Sequence, residues 1–220
     1  MHEIKQVDWA ETIGLISYGV RFAIRTNARD TLDLLQGHLP PRCRRTSAAV
    51  DGRLYSVAIG NPSERSSLKD SNLLWRNSTL LIKTRHRHEV LSALESDLKL
   101  FVAESSPSGI FIHSGVVGWK GKAILIPGYS FSGKSTLVSE LVQCGAEYYS
   151  DEYAVIDKQG RVRPYPKPIR LRHKNALGTT DYSLDAAWVV PPVAPIPVGL
   201  VFVSWYKPGT ARQAREISPR

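Results

Sequence analysis

The chain has 220 residues, 42% of them hydrophobic, with 29 Lys+Arg against 20 Asp+Glu for a formal net charge of +9. This composition excludes a disordered chain and allows a buried core, arranged as one large domain or two small ones. The two cysteines, Cys43 and Cys144, lie far apart without Cys-x-x-Cys or Cys/His spacing, which argues against a disulfide framework and a zinc site.

Met1 to Asp8 has neither the basic start nor the apolar core of a signal peptide, so a cytoplasmic protein is expected. The uncharged run Ala186–Tyr206 reaches spanning length but contains Pro191, Pro192, Pro195 and Pro197, which break a membrane helix. It reads as a Pro-rich connection followed by a buried strand, Gly199–Tyr206. The positive charge fits nucleic acid, an acidic surface or phosphate handling. No helix-turn-helix, zinc-finger or aromatic RNA-binding signature accompanies it, so nucleic acid is not the expected partner.

In chain order, residues 14–26 read as a strand and Asp30–His38 as a short helix that stops before Pro40-Pro41. Arg53–Ile59 and Ser78–Arg85 read as strands. From His88 to Ala103, apolar residues recur at helical spacing: Val90, Leu91, Leu94, Leu98, Leu100 and Phe101. The polar stretch Glu104–Gly109 marks a domain boundary, giving a small mixed α/β domain over residues 1–105 and a second domain over 106–220. The second domain opens with a hairpin of two strands, Ile110–Val117 and Lys122–Ile126, turned at Gly118–Gly121. A helix from Lys134 to Cys144, stopped by Gly145, follows.

Between that hairpin and that helix lies Gly128-Tyr129-Ser130-Phe131-Ser132-Gly133-Lys134-Ser135, followed by Thr136. The pattern Gly-x-x-x-x-Gly-Lys-Ser/Thr arises by chance in about one chain in a hundred of this length at average residue frequencies. Here it also has a strand before it and a helix after it. Such a loop turns consecutive backbone N–H groups toward a phosphate, and the helix adds the positive end of its dipole. Lys134 then reaches the β and γ phosphates of ATP, and the Ser135 hydroxyl ligates Mg²⁺.

A phosphate loop with a metal also needs an acid. Asp151 is the first candidate: the helix carries the chain ~16 Å away at about 1.5 Å per residue, Gly145 turns it, and Glu147–Ser150 brings it back. Asp151 and Glu152 can divide the work, one accepting a proton and the other assisting the metal.

With His113 on the strand before the loop, these motifs resemble the catalytic domain of HPr kinase/phosphorylase and its relatives, which share a fold with phosphoenolpyruvate carboxykinase. The resemblance runs through Tyr149-Ser-Asp-Glu-Tyr-Ala-Val-Ile-Asp157 and Arg163-Pro-Tyr-Pro-Lys-Pro-Ile-Arg-Leu-Arg172 and covers about residues 108–206. It implies an α/β P-loop kinase domain that transfers the γ-phosphate of ATP to a hydroxyl, as on a serine, with Asp151 as base, His113 beside it and Glu152 helping with metal. The sequence departs from the family at Phe131, where glycine is usual, and at Glu152, where a second Asp is usual. The chain also ends before the later loop tied to phosphorolysis.

A kinase of a small molecule or peptide would use the same residues, and a non-catalytic ATP-binding regulatory module would keep the loop alone. A homo-oligomer is compatible with each. Downstream, Arg161, Arg163, Lys167, Arg170, Arg172 and Lys174 alternate as on strand faces. They suit either an acidic ligand or a solvated edge. His86 and His88 have no acidic or Cys partners in sequence and read as surface residues.

Overall fold

The computed structural model describes residues 4, 7–50, 52–60, 71–129, 132–175, 178–183, 194–203, 209 and 216, with backbone alone for 170–175 and 178–183. The chain divides into two compact units, Met1–Phe111 and Ile112–Arg220. Both are mixed α/β.

In the first unit, Tyr18 and Gly19 both take positive φ, 48° and 82°. That is the backbone of a two-residue hairpin turn whose twist matches the flanking strands. The stretch expected as one strand therefore folds back as β1 (Glu11–Ser17) and β2 (Val20–Thr26), antiparallel, with Ser17 opposite Val20. The helix α1 (Asp30–Leu35) continues into a single 3₁₀ turn, Gln36–His38. The short β3 (Arg44–Arg45) lies beside β1, and β4 (Arg53–Ala58) runs parallel to β2. β5 (Asn72–Arg76) and β6 (Thr79–Thr84) complete a sheet of order β3-β1-β2-β4-β5-β6. β5 has no counterpart in the sequence reading, because Leu73, Leu74 and Trp75 form a run too short and too evenly apolar to show a period.

α2 (Arg87–Ser105) buries Val90, Leu91, Leu94, Leu98, Phe101 and Val102; Leu100, counted on its apolar face from sequence, is exposed. Asp97 ties this helix to the sheet. Its carboxylate accepts from Arg76 Nη1 at 2.9 Å, Tyr55 OH at 2.5 Å and Arg53 Nη1 at 3.4 Å, while the Arg53 guanidinium lies 4.1 Å from the Phe101 ring centre. The first compact unit runs on to Phe111: the Ser106 and Ser108 hydroxyls both donate to Tyr18 O, and Phe111 packs edge-on against Tyr18. No described helix is long and apolar enough to cross a membrane.

The second unit is built on β7 (Ile110–Trp119). Lys120 and Gly121, again at positive φ, turn it into the antiparallel β8 (Lys122–Pro127), with Trp119 opposite Lys122 and Ser114 opposite Pro127. The helix α3 (Lys134–Gln143) follows. It ends in a Schellman motif: Ala146 N–H donates to Leu141 O and Gly145 N–H to Val142 O, with Gly145 at φ 95°. β9 (Glu147–Ser150) returns on the opposite side of β7, so β7 lies between β8 and β9. β10 (Tyr153–Ile156) and β11 (Arg161–Arg163) form a hairpin, followed by the ribbon β12 (Arg170–Asn175) and β13 (Gly178–Ser183). The last described strand, β14 (Ile196–Val201), lies between β11 and β8, and a β10–β7 pairing closes the circuit of strands.

Strand alternation sorts the side chains into two cores. Val116, Leu125, Tyr149, Ala154 and Val162 form one; Val117, Ile126, Tyr148 and Ile169 meet Val138 of α3 in the other. β14 departs from expectation. Its backbone pairs on both sides, yet Val198, Leu200 and Val201 are 39%, 51% and 55% exposed rather than buried. Ile196 packs against the first core, while the residues after it serve the ladder. Residues 204–206 of that predicted strand lie outside the described residues.

Asp157 closes the β10–β11 turn. Its carboxylate accepts from the N–H groups of Gln159 and Arg161, both at 2.9 Å, and from Arg161 Nε and Nη2 at 3.1 and 3.0 Å. Burial pushes this carboxyl up, but those donors together hold it below the usual carboxylate value of 3.8. A depressed folded value means the stabilisation is complete above the unfolded value and is lost as pH falls through the folded one. Asp157→Asn is therefore expected to lower thermal stability at neutral pH and to flatten its decline below pH ~4, measured by melting from pH 2 to 7; a parallel decline in both proteins would assign the acid sensitivity elsewhere.

Candidate functional site

The phosphate-loop residues follow β8 directly. A Cβ at Gly128 would stand 2.6 Å from Ser132 Oγ, so any side chain there would have to displace that hydroxyl. Ser132 N–H donates to Tyr129 O at 3.2 Å, tightening the turn, and the Tyr129 ring is 88% exposed. Gly133 takes φ 87°, a left-handed conformation that costs other residues roughly 1–2 kcal/mol, and from it α3 begins at Lys134. Ser135 is half-buried and Thr136 exposed in the first turn of the helix. Ser130 and Phe131 lie outside the described residues.

Lys134 is buried, 6% exposed, and its ammonium donates to the carbonyls of Gly128 and Tyr129, both at 2.7 Å. Burial pushes its pKa down, while the negative charge of Asp151 acts in the opposite sense. The lysine and the acid expected from spacing are thus in one electrostatic neighbourhood.

The topology explains this. β8 and β9 run parallel on either side of β7, joined by α3, and their C-terminal ends stop within two residues of each other along β7: Pro127 is opposite Ser114 and Ser150 opposite Val116. The loop leaves one strand and the acids leave the other. Asp151 and Glu152 form a bend between β9 and β10, held by the Ser150 hydroxyl, which accepts from the N–H groups of Glu152 and Tyr153, and by Ser114 N–H donating to Glu152 O. Asp151 Oδ1 and Glu152 Oε2 are withdrawn from solvent. Ser114, on the strand between, accepts from Ile126 N–H through its hydroxyl.

His113 is exposed on β7, and its ring meets Tyr153 edge-on at 6.1 Å; Tyr153 in turn meets the fully buried Tyr165 at 5.5 Å. His113 therefore stands beside the residue after Glu152, at the same end of the sheet. Two tyrosines of this region, Tyr148 and Tyr153, were not singled out in sequence. Tyr148 donates to Lys167 O at 2.5 Å. Burial, and then the charges of Asp151 and Glu152, push its phenol well above the ordinary value. The only signal in sequence is its place three residues before the acid.

The basic segment separates into different uses. Arg161 and Arg163 both face Asp157, at 3.0 and 3.8 Å, so they serve the hairpin turn rather than a ligand surface. Lys167 lies in the Pro-rich strap beside β9, and Arg170, Arg172 and Lys174 lie in β12. His86 and His88 are exposed, and no group of three or more His, Cys, Asp or Glu among the described residues is arranged to hold a metal. Both cysteines are free thiols, with burial raising Cys43 to about 11.

The chain matches no protein-family model, no curated protein and no solved structure.

Gly115 fixes how α3, and with it Lys134, is seated: a Cβ there would come within 2.6 Å of Val138 Cγ2. Gly115→Ala is expected to destabilise this unit by about 1–3 kcal/mol in urea unfolding, with part of the loss recovered in Gly115→Ala/Val138→Ala. Simple additivity of the two losses would show that this contact is not the cause.

Proposed function

We propose that the second unit is an ATP-dependent phosphotransferase of the HPr-kinase type, moving the γ-phosphate to a hydroxyl such as that of serine. The observation that carries the reading is the convergence of Lys134 and the Asp151–Glu152 bend at one end of three adjacent strands, with the two charges acting on each other. A decorative Gly-rich turn would have no reason to bury its lysine.

The residues fit Mg²⁺ by donor chemistry: a hydroxyl at Ser135 and shielded carboxylate oxygens at Asp151 and Glu152 are the hard ligands such an ion takes. Ser135 and Glu152 would hold it, and when bound it neutralises charge on the phosphate oxygens. Lys134 offers a second positive charge, already pulled out of water, so its attraction for phosphate is stronger than that of a solvated ammonium. The N–H groups at the start of α3 supply further donors.

In the transfer, the acceptor oxygen forms a bond to the γ-phosphorus as the bond to the β–γ bridging oxygen breaks, and ADP leaves. The acceptor proton passes to the carboxylate of Asp151. His113, whose ring meets Tyr153 at this end of the sheet, would relay that proton outward. The acceptor is equally well a protein serine, a peptide or a small molecule.

Mg²⁺-ATP at about 100 times its dissociation constant is expected to stabilise the wild type by about 2.7 kcal/mol and to leave Lys134→Ala unshifted in thermal melts. Turnover of labelled ATP onto an added acceptor, lost in Asp151→Asn, would then identify catalysis. No shift in the wild type would overturn the reading; a shift without any transfer would favour a regulatory ATP-binding module.

A further inference from the structure

Tyr129 is 88% exposed, more than any other large apolar side chain among the described residues. Its backbone, by contrast, is held. The Tyr129 carbonyl accepts from Lys134 Nζ at 2.7 Å and from Ser132 N–H at 3.2 Å, and the Gly128 carbonyl accepts from the same ammonium at 2.7 Å. Gly128 in turn follows Pro127, the last residue of β8, which stands opposite Ser114 of β7. With its carbonyl engaged twice over, the ring is turned outward by the loop's own hydrogen bonds. An aromatic side chain left in water forgoes the stabilisation that its burial would bring, so its display at this place calls for a partner.

The same hydrogen bonds decide which part of a bound nucleotide lies near the ring. On the reading above, Lys134 Nζ meets the β and γ phosphates, and Tyr129 O is 2.7 Å from that atom. Tyr129 therefore belongs to the γ-phosphate end of the loop, whereas the base is separated from that end by the phosphates and the ribose. The acids lie at this end too: the loop leaves β8 and the Asp151–Glu152 bend leaves β9, the two strands that flank β7. An acceptor hydroxyl must come between them. What Tyr129 offers it is an uncharged aromatic face, which suits an apolar group and not an ionic one.

We propose that Tyr129 is the acceptor-recognition residue of this site: its ring packs against a large apolar side chain beside the hydroxyl that receives the phosphate, so the acceptor is a peptide segment with serine next to an aliphatic or aromatic residue. This rests on the phosphotransferase reading and narrows its acceptor class. The carbonyl that serves Lys134 belongs to the backbone and survives substitution of the ring. Removing the ring must therefore change which acceptor is used and spare nucleotide binding.

The test compares two peptides identical save that the single serine has leucine on both sides in one and glycine on both sides in the other, each offered with Mg²⁺ and γ-labelled ATP. The wild type is expected to favour the leucine peptide about tenfold in kcat/KM, the scale of an apolar side chain covered on one face. Tyr129→Ala should lose that preference through the leucine peptide alone, Tyr129→Phe should keep it, and calorimetric ATP affinity should stay within about twofold in both. A fall in ATP affinity with Tyr129→Ala would make the ring part of the loop's own structure and overturn the proposal. So would a preference that Tyr129→Ala retains, or equal use of both peptides by the wild type, each of which leaves the phosphotransferase reading standing. ATP bound without transfer to either peptide would overturn the peptide acceptor while keeping the phosphate site, and a wild type that binds no ATP would remove the reading on which the proposal rests.

Discussion

An ammonium group withdrawn from water needs oxygen partners, and Lys134 is the place where this unit meets that requirement. The side chain is 6% exposed, its ammonium is taken by two carbonyls of its own loop, and the charge of Asp151 acts on it. Loop curvature, helix start and acid bend all follow from bringing those oxygens together. Gly133 must turn left-handed to start α3 there, and β9 must return the chain to the end of β7 where β8 stopped. A surface lysine would impose none of this.

Strand β7 makes the return possible. It separates β8 from β9, its alternate residues feed both cores, and its Ser114 touches both neighbours, accepting from Ile126 N–H on one side and donating its own N–H to Glu152 O on the other. Close approach of α3 to this strand depends on a missing side chain at Gly115. Phosphate recognition and acid placement are thus two ends of one packing arrangement. Each buried aliphatic side chain in it contributes about 1.5–3 kcal/mol, enough to hold a lysine that would otherwise favour water.

Charge in this protein is a poor guide to ligands. The net charge of +9 suggests a broad binding surface, but Arg161 and Arg163 are engaged by Asp157, and Arg53 and Arg76 by Asp97. These are local ties that close a turn and fasten a helix. The aromatic contacts are more telling near the acids, where Tyr165, Tyr153 and His113 run from the buried side of the unit to its surface.

The sequence by itself determined the local elements whose signals are local: the strand, loop and helix around Gly128–Ser135, the helix stop at Gly145, the β7–β8 hairpin, and the long apolar spacing of α2. Each depends on residues a few positions apart, where backbone preference and hydrophobic period act directly. It also placed Asp151 within reach of the loop by counting residues. Only the tertiary structure decided that β7 stands between loop and acid, that the buried Tyr148 hydroxyl has Lys167 O as its partner, that the chain turns back at Tyr18-Gly19, and that β14 leaves Val198, Leu200 and Val201 exposed. Those features depend on which strands become neighbours. Pairing is set by burial summed over the whole unit, and no short window of sequence records that sum.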